Sequence, residues 1–171
     1  TDHAGLDRLA LAAAPGAGGL TLLPYLDGER TPNLPNATGS LHGLTRSNAT
    51  PENLARAVVE GMLLGLAAAV DAVRAAGCPV HRVLLIGGAA ASVAVQEVAA
   101  DVFGVPVAIP SPGEYVAVGA ARQAAWALAG GDAPPAWDVA VDVTIDPDEA
   151  GRARAAEVRG RYAATVAATY P

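Results

Sequence analysis

Gly87, Gly88 and Ser92 lie in the stretch LLIGGAAASVAVQEVAADVFGVPV, Leu84 to Val107, where an apolar run gives way to small residues and then to a helical pattern. Glycine lacks a Cβ, so two in succession at the end of a strand let a flat ring or a phosphate come close to the backbone. The Ser92 hydroxyl either caps the helix behind it or hydrogen-bonds such a ligand. Equally, two glycines permit a tight strand-to-helix turn and nothing more, and the dinucleotide fingerprint G-x-G-x-x-G is not matched. The residues leave both readings open.

Other polar groups offer less. The loop DGERTP places Asp27, Glu29, Arg30 and Thr31 at a strand end. An acid or magnesium role is conceivable there, but a network between Arg30 and the carboxylates that orders a proline-containing loop is the simpler reading, and no catalytic role is assigned. Glu60, set in an apolar helix, calls for an arginine partner or an exposed helix edge. His3, His42 and His81 have neither metal-ligand spacing nor a paired nucleophile, so no metal ligand and no triad is expected.

Composition removes whole classes of chemistry. All eleven basic residues are arginine, so a P-loop lysine and a Schiff-base mechanism are unavailable. Seventeen acidic residues bring the net charge to −6, which opposes binding to nucleic acid or to anionic membrane surfaces. Cys78 is the single cysteine, so no internal disulfide can form and a reducing, cytoplasmic location is expected. The most apolar run, GMLLGLAAAV at Gly61 to Val70, is too short to span a bilayer, and no signal-peptide pattern is read. A first residue of Thr rather than Met suggests a piece of a longer protein.

The elements that must position Gly87 and Gly88 follow from periodicity and punctuation. Leu6 to Ala14 reads as a helix stopped by Pro15 and Gly16, and Leu20 to Leu26 as a strand ending near Pro24. Leu41 to Arg46 is a possible short strand. The clearest helix starts at Thr50 as N-cap with Pro51 at its first position, and stops at Gly77 and Pro79. Leu54, Val58, Met62, Leu66, Ala69 and Val73 form its expected stripe, widened by Val59, Leu63 and Val70 so that most of its circumference is covered. Arg82 to Ile86 reads as a strand buried on both faces, the helix from Ser92 to Phe103 stops at Gly104, and VPVAIP is a further strand. Ser111, Pro112 and Glu114 read as a capping box opening another helix, with Gly119, Ala120 and Ala121 as a close-packing face. DAPPAWD is a linker, and a last helix follows the Asp-Pro-x-Glu signal at Asp146 with Val158, Tyr162 and Val166 as its stripe. Together these describe an α/β domain, within which ligands gather at the carboxyl ends of strands.

Taken in order, GLTLLPYLDGERTP, GSLHGLTRSNATPENLARAVVEG, LLIGGAAASVAVQEVAADVFGVPVAIP and EYVAVGAARQAAWAL resemble the C-terminal half of the FGGY carbohydrate kinases, nearest to the branch acting on D-xylulose. The likeness runs from about Gly5 to Gly130, far more specific than one glycine motif. It implies a ribonuclease H-like, actin-like ATPase domain with a mixed sheet flanked by helices over residues 1–131, and a linker and C-terminal helix over 132–171 packing on it. It implies that Gly87, Gly88, Ala89 and Ser92 contact the adenosine end of ATP, and that the full enzyme uses Mg²⁺ and a ketopentose. Related kinases of ribulose, gluconate or glycerol, or a noncatalytic actin-like interaction domain, are the alternatives. The sequence departs from the common pattern at Ala89, where a third glycine is frequent, at Ala91, where a basic residue is frequent, and at Val95, where tryptophan is frequent. The catalytic Asp and most sugar contacts are expected upstream, so this chain alone is expected to be inactive. An uncovered sheet edge, with the domain's opening strand missing, would favour a homodimer.

Overall fold

The computed structural model describes residues 2–171. Helix α1 (His3–Ala12) is capped by Asp2, whose Oδ1 accepts from Gly5 N at 2.7 Å. The chain then turns through Gly16, in the left-handed region at φ 89°, into strand β1 (Thr21–Leu23). Strand β1 pairs antiparallel with β2 (Ser40–His42), Thr21 opposite His42. Between them the loop is held by Glu29, whose Oε1 accepts from the backbone N–H groups of Arg30 and Thr31 at 2.7 and 3.0 Å. The expected Arg30 network is therefore replaced by a carboxylate bonded to backbone, a shorter-range solution that needs no long side chain to be ordered.

Helix α2 (Pro51–Ala75) starts as its sequence indicates, with Thr50 Oγ1 accepting from Asn53 N at 3.2 Å. Its buried face keeps Val59 and Leu63 of the expected stripe, with Met62 and Val70 half-buried against the core, and loses the rest. Ala55, Ala57, Val59, Gly61, Leu63, Leu64 and Ala67 are buried, whereas Leu54, Val58, Leu66 and Val73 are exposed. Small residues decide the matter, because they let a neighbouring backbone approach: a Cβ on Gly61 would stand 2.5 Å from the Leu22 carbonyl oxygen. Glu60 has the arginine partner. Its Oε1 lies 2.7 Å from Arg56 Nε and also accepts from Gly16 N at 2.8 Å, so both the buried carboxylate and the turn before β1 are satisfied by one group.

The second sheet positions the glycines. Strand β3 (Val83–Leu84) runs parallel to β4 (Val107–Pro110), with helix α3 (Val93–Phe103) as the crossover. Strand β5 (Val141–Ile145), not expected from the sequence, pairs antiparallel with the other side of β4, giving a mixed sheet in the order β3-β4-β5. All of β4 is buried, as the central strand must be. The run from Arg82 to Ile86 is not buried on both faces: only Leu85 is buried, while Leu84 and Ile86 face solvent, because β3 is an edge strand covered on one side. Gly104 ends α3 at φ 68°.

Helix α4 (Tyr115–Ala129) starts later than expected and without the capping box. Glu114 occupies the N-cap position with no side-chain cap bond, and Ser111 Oγ instead donates to Asp142 Oδ1 at 2.6 Å across to β5. Every residue of α4 is exposed or half-buried, so Gly119, Ala120 and Ala121 form no packed face; within residues 2–171 the sheet presents no surface against which they lie. Helix α5 (Glu149–Thr169), capped by Asp148 rather than Asp146, returns to the core through Val158 and Tyr162. No described helix is long and apolar enough to cross a membrane.

Candidate functional site

At the carboxyl end of β3 the chain enters Gly87 with φ 91° and ψ −179°, a conformation open essentially to glycine alone. Gly88 to Ala91 then make one 3-10 turn, with Ala90 N donating to Gly87 O and Ser92 N to Ala89 O, both at 3.1 Å. A Cβ on either Gly87 or Gly88 would meet no atom within 4 Å, and both glycines are exposed. The two glycines thus do different things: Gly87 is needed for the turn, whereas Gly88 has an ordinary φ and merely leaves open space above the backbone.

That space belongs to a cleft of about 620 Å³, within the usual range for small-molecule sites. Leu85, Ile86 and Ile109 give it apolar walls, and the segment from Ser111 to Tyr115 faces the glycines across it. Its charged members are Glu114 and Asp142, and no cationic side chain lines it. Such a cleft suits a flat, neutral group with hydrogen-bond donors. It offers nothing to neutralise a triphosphate.

The four residues singled out from sequence separate here. Gly87 and Gly88 line the cleft, while Ala89 is exposed beside it. Ser92 points elsewhere: its Oγ donates to Asp7 Oδ1 at 2.5 Å and accepts from Val95 N at 3.2 Å, so its one proton is already given to a carboxylate. Gln96, Tyr115 and Asp142 also line the cleft, and the sequence did not point to them. Gln96 Nε2 donates to Ala90 O at 2.6 Å and so fixes the glycine turn from below. Tyr115 donates its hydroxyl to Ser111 O, closing the facing wall. Gln96 falls one helical turn after Ser92, which was a usable signal; Asp142 reaches the cleft only because β5 pairs with β4, which sequence alone did not suggest.

Among the described residues no three His, Cys, Asp or Glu side chains converge.

The profile of the FGGY family of carbohydrate kinases, C-terminal domain, matches residues 2–128. The chain belongs to the FGGY carbohydrate kinase family. It is 43% identical over 160 residues to a xylulose kinase of Streptomyces coelicolor, covering 91% of this chain and 32% of that protein. The solved xylulose kinase of Bifidobacterium adolescentis superposes with a TM-score of 0.75 at 48% identity, over 94% of this chain and 32% of the other. The xylulose kinase of Rhodospirillum rubrum superposes at 0.82 with 32% identity, over 99% and 34%. The α/β fold is accordingly that of the actin-like ATPases, and the chain spans about a third of the length of the relatives it matches.

Proposed function

We propose that the whole protein is an ATP-dependent kinase that phosphorylates D-xylulose to D-xylulose 5-phosphate, and that this chain supplies the half-site for the adenosine end of the nucleotide. The observation that carries the reading is the bare backbone of Gly87 and Gly88 opening onto an apolar cleft without a cation. The purine lies over Gly88 between the β3 end and the Ser111 to Tyr115 segment, with Glu114 and Asp142 within reach of amino or hydroxyl donors. The phosphates leave the cleft toward groups that this chain does not contain, which is also where Mg²⁺, the sugar and the Asp that accepts the hydroxyl proton belong. Transfer of the γ-phosphoryl group then depends on positioning and charge neutralisation between two closing lobes. Of the residues picked from sequence, Gly87 and Gly88 stand against the nucleoside, Ala89 lies beside the cleft and outside it, and Ser92 holds the turn in place.

Residues 1–131 are read as the kinase domain and 132–171 as a linker and helix attached to it. The reading is supported by the burial of Val158 and Tyr162 of α5 in the same core as Val59 and Leu63 of α2. Small polar substrates and one free cysteine fit a cytoplasmic setting. The unpaired edge of β3, the exposed apolar side chains of α2 and the uncovered α4 support self-association of the chain at high concentration. Sedimentation analysis with a monomer at all concentrations contradicts that last point.

The test is a coupled assay of ADP release by the full-length protein with xylulose, ribulose, gluconate and glycerol as acceptors. Xylulose is expected to give the highest kcat/KM, and this chain alone to give no turnover. A full-length protein that turns over none of the four overturns the kinase reading, and preference for another acceptor overturns the substrate.

A further inference from the structure

We infer that Asp7 is a positioning residue for the nucleotide shelf, acting through Ser92; the inference rests on the nucleoside reading of Gly87 and Gly88 and adds the group that holds them. Asp7 sits on α1, 85 positions before Ser92. Its two oxygens grip two consecutive residues: Oδ1 accepts from Ser92 Oγ at 2.5 Å and Oδ2 from Val93 N at 3.1 Å. This is the first turn of α3, where backbone N–H groups lack partners inside the helix and the helix end is positive, so a carboxylate there is doubly favoured.

Of the glycine turn only Ala90 packs against the core. Gly87, Gly88, Ala89 and Ala91 are exposed, and nothing approaches the two glycines within 4 Å of where a Cβ would be. The turn's place relative to α3 is set by two hydrogen bonds from the α3 side, Ser92 N to Ala89 O at 3.1 Å and Gln96 Nε2 to Ala90 O at 2.6 Å, while Ala90 N to Gly87 O at 3.1 Å closes the turn on itself. A shift of Ser92 therefore carries the turn with it. The Asp7 anchor is firm, since α1 is fixed in the core by fully buried Ala10. Its charge has a second effect. By occupying the start of α3 it removes the anion-binding end nearest the cleft, so a phosphate finds no hold there and the neutral end of the nucleotide is the part that fits.

The experiment measures ATP affinity of the chain by calorimetry, together with site-resolved amide exchange, for wild type, Asp7→Ala, Asp7→Asn, Ser92→Ala and the Asp7→Ala/Ser92→Ala pair. Asp7→Ala is expected to weaken ATP about tenfold, as loss of a charge-assisted hydrogen bond does, and to speed exchange at Ala90 and Ser92, in the turn before α3, relative to α3 itself. Asp7→Asn keeps one acceptor and is expected to fall between. The double variant is expected to lose less than the sum of the two single losses, because either change alone already breaks the Asp7–Ser92 bond, while Asp7 also holds Val93 N and Ser92 also caps Val95 N. Wild-type affinity in Asp7→Ala, or losses that add in the double variant, overturn the inference. If Asp7→Ala unfolds, exchange rises everywhere and Asp7→Asn decides by the same criteria. A wild-type chain that binds no ATP overturns the nucleoside reading and this inference with it, whereas wild-type binding with unaltered affinity in the Asp7 variants overturns the inference alone.

Discussion

Alanine at Gly87 and alanine at Gly88 should fail in opposite ways. Gly87 has φ 91° and ψ −179° with open space around it, so Gly87→Ala meets no clash but forces an L-residue into a region it avoids. The expected cost is about 1–3 kcal/mol, and at about 2–4 °C per kcal/mol for a domain of this size the melting temperature should fall by several degrees. Gly88 has an ordinary φ and equally open space. Gly88→Ala should leave stability unchanged or raise it by roughly 0.4–1 kcal/mol through a less flexible unfolded chain. In binding the order reverses. On the proposed reading a methyl group on Gly88 stands where the purine lies, and overpacking of about 1–3 kcal/mol should weaken ATP roughly fivefold to more than a hundredfold. Differential scanning calorimetry and ATP titration of both variants give the four numbers needed. Equal melting temperatures for the two variants refute the conformational argument, and unchanged ATP affinity in Gly88→Ala refutes the shelf.

Further perturbations test other parts of the account. Glu60→Ala strips the partner from buried Arg56 and the acceptor from Gly16 N; it should cost about 3–5 kcal/mol in chemical denaturation. Tyr162→Ala opens the contact of α5 with the core, beside Tyr25, and should cost about 3–5 kcal/mol; a surface-like effect would show that α5 packs elsewhere. Burial, and then the nearby Asp148 charge, raise the carboxyl of Asp101 above its ordinary value of 3.8. A folded pKa above the unfolded one means that stability from Asp101 is present below the unfolded value and lost as pH rises through the folded one. Asp101→Asn should therefore melt higher than wild type at about pH 7, with the gap closing by about pH 3, as followed by circular dichroism.

Much of the scaffold was legible because its signals are local. Thr50 with Pro51, Ser92 before Val93 and Gly104 after Phe103 mark helix ends through hydrogen bonds and φ values set within a few residues. The burial of α2 was not, since apolar residues surround the helix and only the partner backbone over Gly61 selects the buried side. Strand β5 carried a readable alternation in VDVTI, but its assignment depends on β4 being free on that edge. For the site, Gly87 and Gly88 announced themselves by type. The destination of the Ser92 proton did not, because Asp7 reaches it across the fold from α1. A separation of 31 residues likewise hid the role of Asp142, whose bond to Ser111 links β5 to the end of its neighbour β4 and took away the expected helix cap.

The most direct test of the nucleoside shelf is an amide chemical-shift map of the chain titrated with ATP and Mg²⁺ up to roughly millimolar concentration, where weak half-sites respond. Shifts clustered at Gly87, Gly88, Ala90, Gln96 and the segment from Gly113 to Tyr115 are the expected result. No response, or shifts confined to the arginine-lined groove between α3 and α5 around Arg74, Arg152 and Arg159, would contradict it.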